Sequence, residues 1–243
     1  MTRYFPILML LLSLNASAQV REKMTYGAKF AFVKGGEAEL IVSDTLYQGK
    51  KLTHYYVRGY STGMTKLLYN VNDIYETILD GEQFTPYFHI RNVSENRYRF
   101  YNETTFYPGS DSICSTKSGC RTVPQGMIDI LSLYAMMRHH SFTDTLKVGQ
   151  KFTHEIYHAN KHFQMTSTFE GLKTIDTKIG EKECFVITPI IEDSKLVTGS
   201  DALKLYITTD ADHIPVIIEL EMTFGKVSGY ITSYEKIKET SKN

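Results

Sequence analysis

The chain has 243 residues, with 27 Lys+Arg against 27 Asp+Glu. A balanced charge gives nucleic acid or an anionic surface no general hold on it, although charges can still cluster on one face. Its length suffices for one sizeable core or two small domains. Trp is absent, while 17 Tyr and 13 Phe supply aromatic area, a composition that favours strands and half-buried surfaces.

The first residues have the form of a targeting segment. Arg3 gives a positive start, Ile7 to Leu14 is a short apolar run, and Ala16-Ser17-Ala18 is a small-x-small cleavage site. The expected product begins at Gln19 and carries no lipid anchor at that point, since no Cys follows. No later run approaches the roughly 18 apolar residues of a spanning helix, so an exported, periplasmic or secreted protein without a transmembrane segment is expected.

Strand patterns follow in quick succession. Tyr26 to Val33 and Glu37 to Thr45 flank Lys34-Gly35-Gly36, a hairpin signal. Gln48-Gly49 marks the next turn, and Lys51 to Ser61 alternates as a strand. Gly63 to Asn70 has room for one or two helical turns. Asp73 to Asp80, Tyr87 to Val93 and Arg97 to Tyr107 read as strands, the last two joined through Ser94-Glu95-Asn96. Arg58, Arg91, Arg97 and Arg99 are expected to pair with carboxylates across strands. Cys114 and Cys120 flank a turn-like insert, and in an oxidising compartment a disulfide is expected.

Pro124 to His140 is the segment that reads most clearly as a helix. Ile128, Leu131, Tyr134 and Arg138 recur at helical spacing, with Ile130, Leu133 and Met137 in a second stripe. A helix apolar on most of its circumference must be buried. Asp129 and Arg138 are read as ties from this helix to neighbouring strands; lining a site is the alternative.

Strand patterns resume at Lys151 to His158 and His162 to Phe169, about Ala159-Asn160-Lys161. Leu172 to Ile179, Cys184 to Ile191 and Leu203 to Thr209 follow, with a polar loop at Ser194 to Asp201. Val216 to Phe224 and Val227 to Tyr234 form a last hairpin about Gly225-Lys226. The expected fold class is therefore mainly β: an antiparallel curved sheet or half-barrel. One domain, 19–243, is expected, its two β-rich halves, about 24–120 and 144–235, joined by one buried helix near 124–140.

An ordered set of residues carries a resemblance. It runs through Lys34-Gly35-Gly36-Glu37-Ala38, Asp73-Ile-Tyr75-Glu76 and Pro86-Tyr-Phe88 with Arg91. It continues with Asp129-Ile-Leu131-Ser132-Leu-Tyr134 and Arg138, and closes with Asp210, Ile214-Pro215-Val216 and Gly225. The set resembles the exported bacterial family called domain of unknown function 3108. The resemblance implies a periplasmic, mostly β domain of unestablished activity, with Asp73, Tyr75, Glu76, Arg91, Asp129, Ser132, Tyr134, Arg138, Asp210 and Pro215 in structural or binding roles. The half-barrel of outer-membrane lipoprotein carriers is a further likeness at the level of fold alone.

One motif invites a metal. His154-Glu155-Ile-Tyr-His158 matches H-E-x-x-H, which on a helix grips zinc with Glu as general base. Here a Gly149 turn and strand-like residues precede it. On a strand the two His share a face but stand about 13 Å apart, too far to chelate one ion. No metal or other cofactor is expected. Asp210-Ala-Asp212 lacks the calcium-loop pattern and reads as a turn. The expected function is a non-catalytic binding or carrier module for an apolar or envelope-derived ligand, motivated by Tyr55, Tyr60, Tyr75, Tyr87 and Tyr98 on the strands. A structural, partner-binding envelope protein is the alternative, and a zinc hydrolase built on His154, Glu155 and His158 the third.

Overall fold

The computed structural model describes residues 19–30, 33–139, 146–191, 203–222 and 225–237. Residues 1–18, read above as a targeting segment, lie outside the described residues, as do His140 and the 194–201 segment read as a loop. In the first half, β1 (Val20–Phe30), β2 (Val33–Tyr47) and β3 (Lys50–Ser61) lead through a short helix α1 (Gly63–Leu68) to β4 (Asn72–Leu79), β5 (Pro86–Glu95) and β6 (Tyr98–Tyr107). A small hairpin, β7 (Ser112–Ser115) and β8 (Gly119–Thr122), then precedes β9 (Ile128–Asp129) and α2 (Ile130–His139). The second half is β10 (Lys151–His158), β11 (Lys161–Thr177), β12 (Gly180–Ile191), β13 (Leu203–Thr208), β14 (Pro215–Met222) and β15 (Gly225–Lys236).

All fifteen strands form one sheet, ordered β8-β7-β6-β5-β4-β3-β2-β1-β15-β14-β13-β12-β11-β10-β9. Neighbours are antiparallel except β9, which runs parallel to β10 through Ile156 and Tyr157. The first strand lies against the last: β1 pairs with β15 from Glu22↔Lys236 to Phe30↔Val227. The sheet curves without closing, and side chains bridge its two margins. Asn102 on β6 donates to Asn160 Oδ1 at 3.2 Å, Arg121 on β8 donates to the Asn160 carbonyl at 3.1 Å, and its guanidinium lies over Tyr157.

Alternation explains which face is covered. Along β6, Asn102, Thr104 and Phe106 are buried while Tyr101 and Tyr107 face outward. Helix α2 fills the inside of the curve. Leu131 and Ala135 pack with Met24, Leu40, Val42 and Tyr55 from the first half and Val216 and Ile231 from the second. Leu133 and Met137 pack against Ile156, Met165, Phe169, Ile187 and Ile207. One helix thus serves as the common core of both halves. Each fully buried Leu or Met on it contributes about 1.5–3 kcal/mol.

Four features differ from the sequence reading. The helix begins at Ile130, not Pro124. Gly126 is left-handed, at φ +73°, and Ile128–Asp129 are taken by the ladder to β10. Asp129 then caps the helix, accepting from the Ser132 N–H at 2.7 Å. Gly35 and Gly36 are not a turn but part of β2, where Gly36 pairs with Ala28 and Lys34 with Lys29. A Cβ on Gly36 would stand 2.8 Å from the Tyr60 carbonyl oxygen, so close approach of β3 is the reason for glycine there. The segments 162–169 and 172–179 are one long strand, broken only by a bulge at Gly171. Gly225 likewise belongs to β15, where it pairs with Met222.

Candidate functional site

The inward face of β4 and β5 meets the start of α2 in a buried polar cluster. Thr77 donates to Asp129 Oδ2 at 2.9 Å. His89 Nδ1 lies 2.9 Å from Thr77 Oγ1 and 3.4 Å from Asp129 Oδ2. None of the three is more than 4% exposed. Burial pushes the Asp129 carboxyl up, but His89, the Ser132 N–H and Thr77 together outweigh it and hold the group below the usual carboxylate range. Next to them the His158 ring stacks on Tyr75, with Nδ1 buried and unpartnered among the described residues. Burial, then the nearby Arg91 and His89, push its pKa down to about 4. Arg91 lies over Phe100. Asp73, further along β4, accepts from the Ser94 N–H at 2.9 Å, and burial raises its pKa.

The other end of α2 carries a buried ion pair. Arg138, 2% exposed, meets Glu22 on β1 at 2.8 Å. It also donates to the carbonyls of Asp212 and His213 at 3.0 and 3.3 Å, and His213 Nδ1 returns a bond to the Arg138 carbonyl at 2.6 Å. Although burial opposes the charge, Tyr134, Glu22 and Tyr55 more than offset it, so the guanidinium stays protonated. Tyr26 and Tyr134 both donate to Met24 Sδ. Burial pushes the Tyr55 hydroxyl up to about 12.

These contacts bring most of the sequence-picked residues to the two ends of one helix. Tyr75, Arg91 and Asp129 gather near its start, with Asp73 further along β4. Tyr134 and Arg138 meet the Asp210–Pro215 turn at its end, where Asp210 accepts from Thr208 at 2.6 Å and Lys182 at 3.0 Å, and Pro215 opens β14. Ser132 is buried on α2. Glu76 is separate: it faces away from Tyr75 and meets His54 Nε2 at 2.8 Å. Arg58 and Arg99 find other partners than the expected carboxylates, whereas the charge of Arg91 acts on the Asp73 carboxylate of the neighbouring strand. Arg58 donates to Asn72 at 2.8 Å and lies over Tyr60, and Arg99 donates to the carbonyls of Asn96 and Tyr98. Thr77, His89 and Glu22 were not legible as functional, since each sits within an ordinary alternating strand.

The chemistry open to the start of the helix is limited by order and access. Thr77 and Asp129 meet the same ring nitrogen of His89, and Thr77 donates to the carboxylate, whereas a nucleophile relay needs the hydroxyl on the opposite nitrogen. The H-E-x-x-H residues lie on β10. His158 and His154 face inward, His154 lining a void of about 20 Å³ beside Leu133 and Met137. Glu155 points the other way, to His162 and Gln164, so it cannot attend an ion between the two histidines. Among the described residues no group of three or more His, Cys, Asp or Glu is placed to hold a metal.

Cys114 and Cys120 stand opposite each other on β7 and β8 and form a disulfide. Cys184 is fully buried, and burial pushes its thiol up to about 11. No helix among the described residues is long and apolar enough to cross a membrane.

No curated protein matches the sequence. Among solved structures, a β-barrel-like protein of domain of unknown function DUF1849 from Brucella abortus is similar, with a TM-score of 0.61 at 8% identity, covering 91% of this chain and 100% of that one. A DUF1089 family protein from Pseudomonas aeruginosa aligns at a TM-score of 0.35 and 10% identity, over 88% of this chain and 95% of that one. The first likeness shows the fold alone, a β-barrel-like sheet. At the level of sequence, the ordered residues from β1 to β15 match one family over residues 23–232, and the chain belongs to it: the family described as protein of unknown function DUF3108.

Proposed function

We propose that the protein is an exported, periplasmic, non-catalytic module that binds an apolar or envelope-derived partner at its surface. The observation that supports this most directly is that the inside of the curve is filled along α2. Helix α2 occupies the inside of the curve and is fastened at both ends, through Asp129 and through Arg138. A carrier that takes a lipid chain inside needs a pocket of roughly 300 Å³ or more. The void beside His154, about 20 Å³, has room for about one water. Larger clefts of about 230 and 370 Å³ lie elsewhere, the second running from Lys29, Glu219 and Tyr230 beneath the end of the β11–β12 hairpin to Val216 and Ile231 at the edge of the core.

Gentle extraction from the cell envelope, followed by mass spectrometry of co-purifying lipid, glycan and protein, tests this reading. A stoichiometric partner is the expected result. Recovery of the bare chain under every mild condition sinks it, and stoichiometric zinc in the purified protein would put the hydrolase in its place.

A further inference from the structure

Helix α1 is built inside out. Met64, Leu67 and Leu68 fall at i, i+3 and i+4 and so form one apolar stripe. That stripe faces solvent: the three side chains are 71%, 79% and 80% exposed. The polar Thr65 instead turns toward the body of the protein, its Oγ1 lying 3.0 Å from where a Cβ on Gly35 would be. No residue of the helix is buried. A six-residue helix would not persist alone in water. This one is held by its neighbours, with Thr62 N–H on the Gly35 carbonyl at 3.0 Å and Asn70 and Asn96 exchanging two bonds of 2.7 and 2.8 Å.

Those tethers place other side chains at the same end of the sheet. Val33 opens β2 and is exposed, as are Tyr69 after the helix and Tyr98 at the β5–β6 turn. Cations surround the apolar tip: Lys66 within α1, Lys34 beside Gly35, and Arg97 and Arg99 at the turn carrying Asn96. The neighbouring carboxylates are engaged, Glu37 by Lys34 and Tyr60 and Glu95 by Tyr69. Among the described residues, no carboxylate lies within ion-pair distance of Lys66, Arg97 or Arg99. The chain is neutral overall; at this end Lys34 is paired with Glu37, and Lys66, Arg97 and Arg99 leave a small basic excess over Glu95 and Asp73.

We infer that this tip docks on the surface of an anionic lipid bilayer. The inference rests on the surface-binding reading above and names its partner class. A fluid acyl boundary accommodates exposed aliphatic side chains without a matching pocket. Aliphatic side chains at the point, tyrosines beside them and cations around the rim follow the order of a membrane interface from acyl chain to headgroup. Lys66 is exposed on the side of α1 away from the stripe, a rim position from which its long stem can carry the ammonium toward phosphate. Binding of this size is weak and reversible.

Co-sedimentation with vesicles tests it. The full chain is mixed with vesicles of phosphatidylcholine containing phosphatidylglycerol, and with vesicles of phosphatidylcholine alone. The wild type is expected to bind the anionic vesicles more tightly. Leu67→Ser/Leu68→Ser should weaken that binding about tenfold or more, and Lys66→Gln about fivefold. Residues outside the tip contribute equally to each protein, so the difference isolates α1. Because the leucines pack against nothing buried, the melting temperature of the double variant should equal that of the wild type, which separates lost docking from lost folding. Equal vesicle binding by the wild type and the double variant overturns the inference. So does a wild type that ignores vesicles while retaining a protein or glycan partner on extraction, an outcome that leaves the surface-binding reading intact.

Discussion

Helices α1 and α2 each carry an apolar stripe at helical spacing, but they are held in opposite ways. On α2 the apolar side chains are the core, with Leu133 at 3% exposure and Ala135 at 0%. Its polar residues are the anchors, Asp129 to Thr77 and Arg138 to Glu22. On α1 the polar Thr65 faces inward and the leucines face out. Periodicity identifies a stripe without saying what covers it. For α2 the cover is the sheet of the same chain; for α1 none of the described residues supplies one.

The sharpest way to break this comparison is at the anchors. Arg138→Ala removes the partner of a buried Glu22 and strands two carbonyls, and should lower the unfolding free energy by about 3–5 kcal/mol in denaturant titration. A change under about 1 kcal/mol would mean that α2 is held by its apolar contacts alone. Leu133→Ala should cost about 2–5 kcal/mol, because the second core cluster closes around it.

Acid should act on the α2 side and not on α1. His158 is held to about 4 by burial, Arg91 and His89, against 6.5 for the free side chain. The unfolded chain therefore takes up this proton first. The stability it contributes is complete above about pH 6.5 and is lost as the pH falls toward 4, by about 3 kcal/mol in total. Asp129, held below the usual carboxylate range, adds its own loss only below about pH 4. His158→Gln should flatten the unfolding curve between about pH 6.5 and 4, as read by chemical denaturation across that range. The smallest effect is expected at the solvent stripe: Leu67→Ala should change stability by less than about 0.5 kcal/mol, and the contrast with Leu133→Ala is the direct measure of the difference between the two helices.

Much of the sheet was legible because alternation and turn residues act locally. Gln48-Gly49 is a turn with both residues at positive φ, and Cys114 and Cys120 are near enough in sequence for their pairing to be read. Gly35-Gly36 misled because glycine serves close strand approach as well as turns, and only Tyr60, on another strand, distinguishes the two uses. Pro124 misled for a similar reason, since the competing claim on Ile128 and Asp129 comes from β10. Asp129 and Arg138 were readable as ties, but Thr77, His89 and Glu22 were not, because nothing in an alternating strand marks which inward position will face a helix end. The outward stripe of α1 looked like any short helical turn until its surroundings were known.

The pairing of β1 with β15 has a consequence for how the chain assembles. Among the described residues, every ladder bond between the two halves waits for residues 225–236, about 200 residues after β1. Until then β1 presents an open edge, and Glu22 has no enclosed site in which to receive Arg138. The halves can form their own hairpins early, but completion depends on contacts of the longest sequence separation, a topology that folds slowly. It also puts the start of β1 beside the end of β15, with the Ile237 N–H on the Arg21 carbonyl at 2.8 Å. A circular permutant that joins them and opens Gln48-Gly49 instead would convert that late, distant pairing into an early, local one.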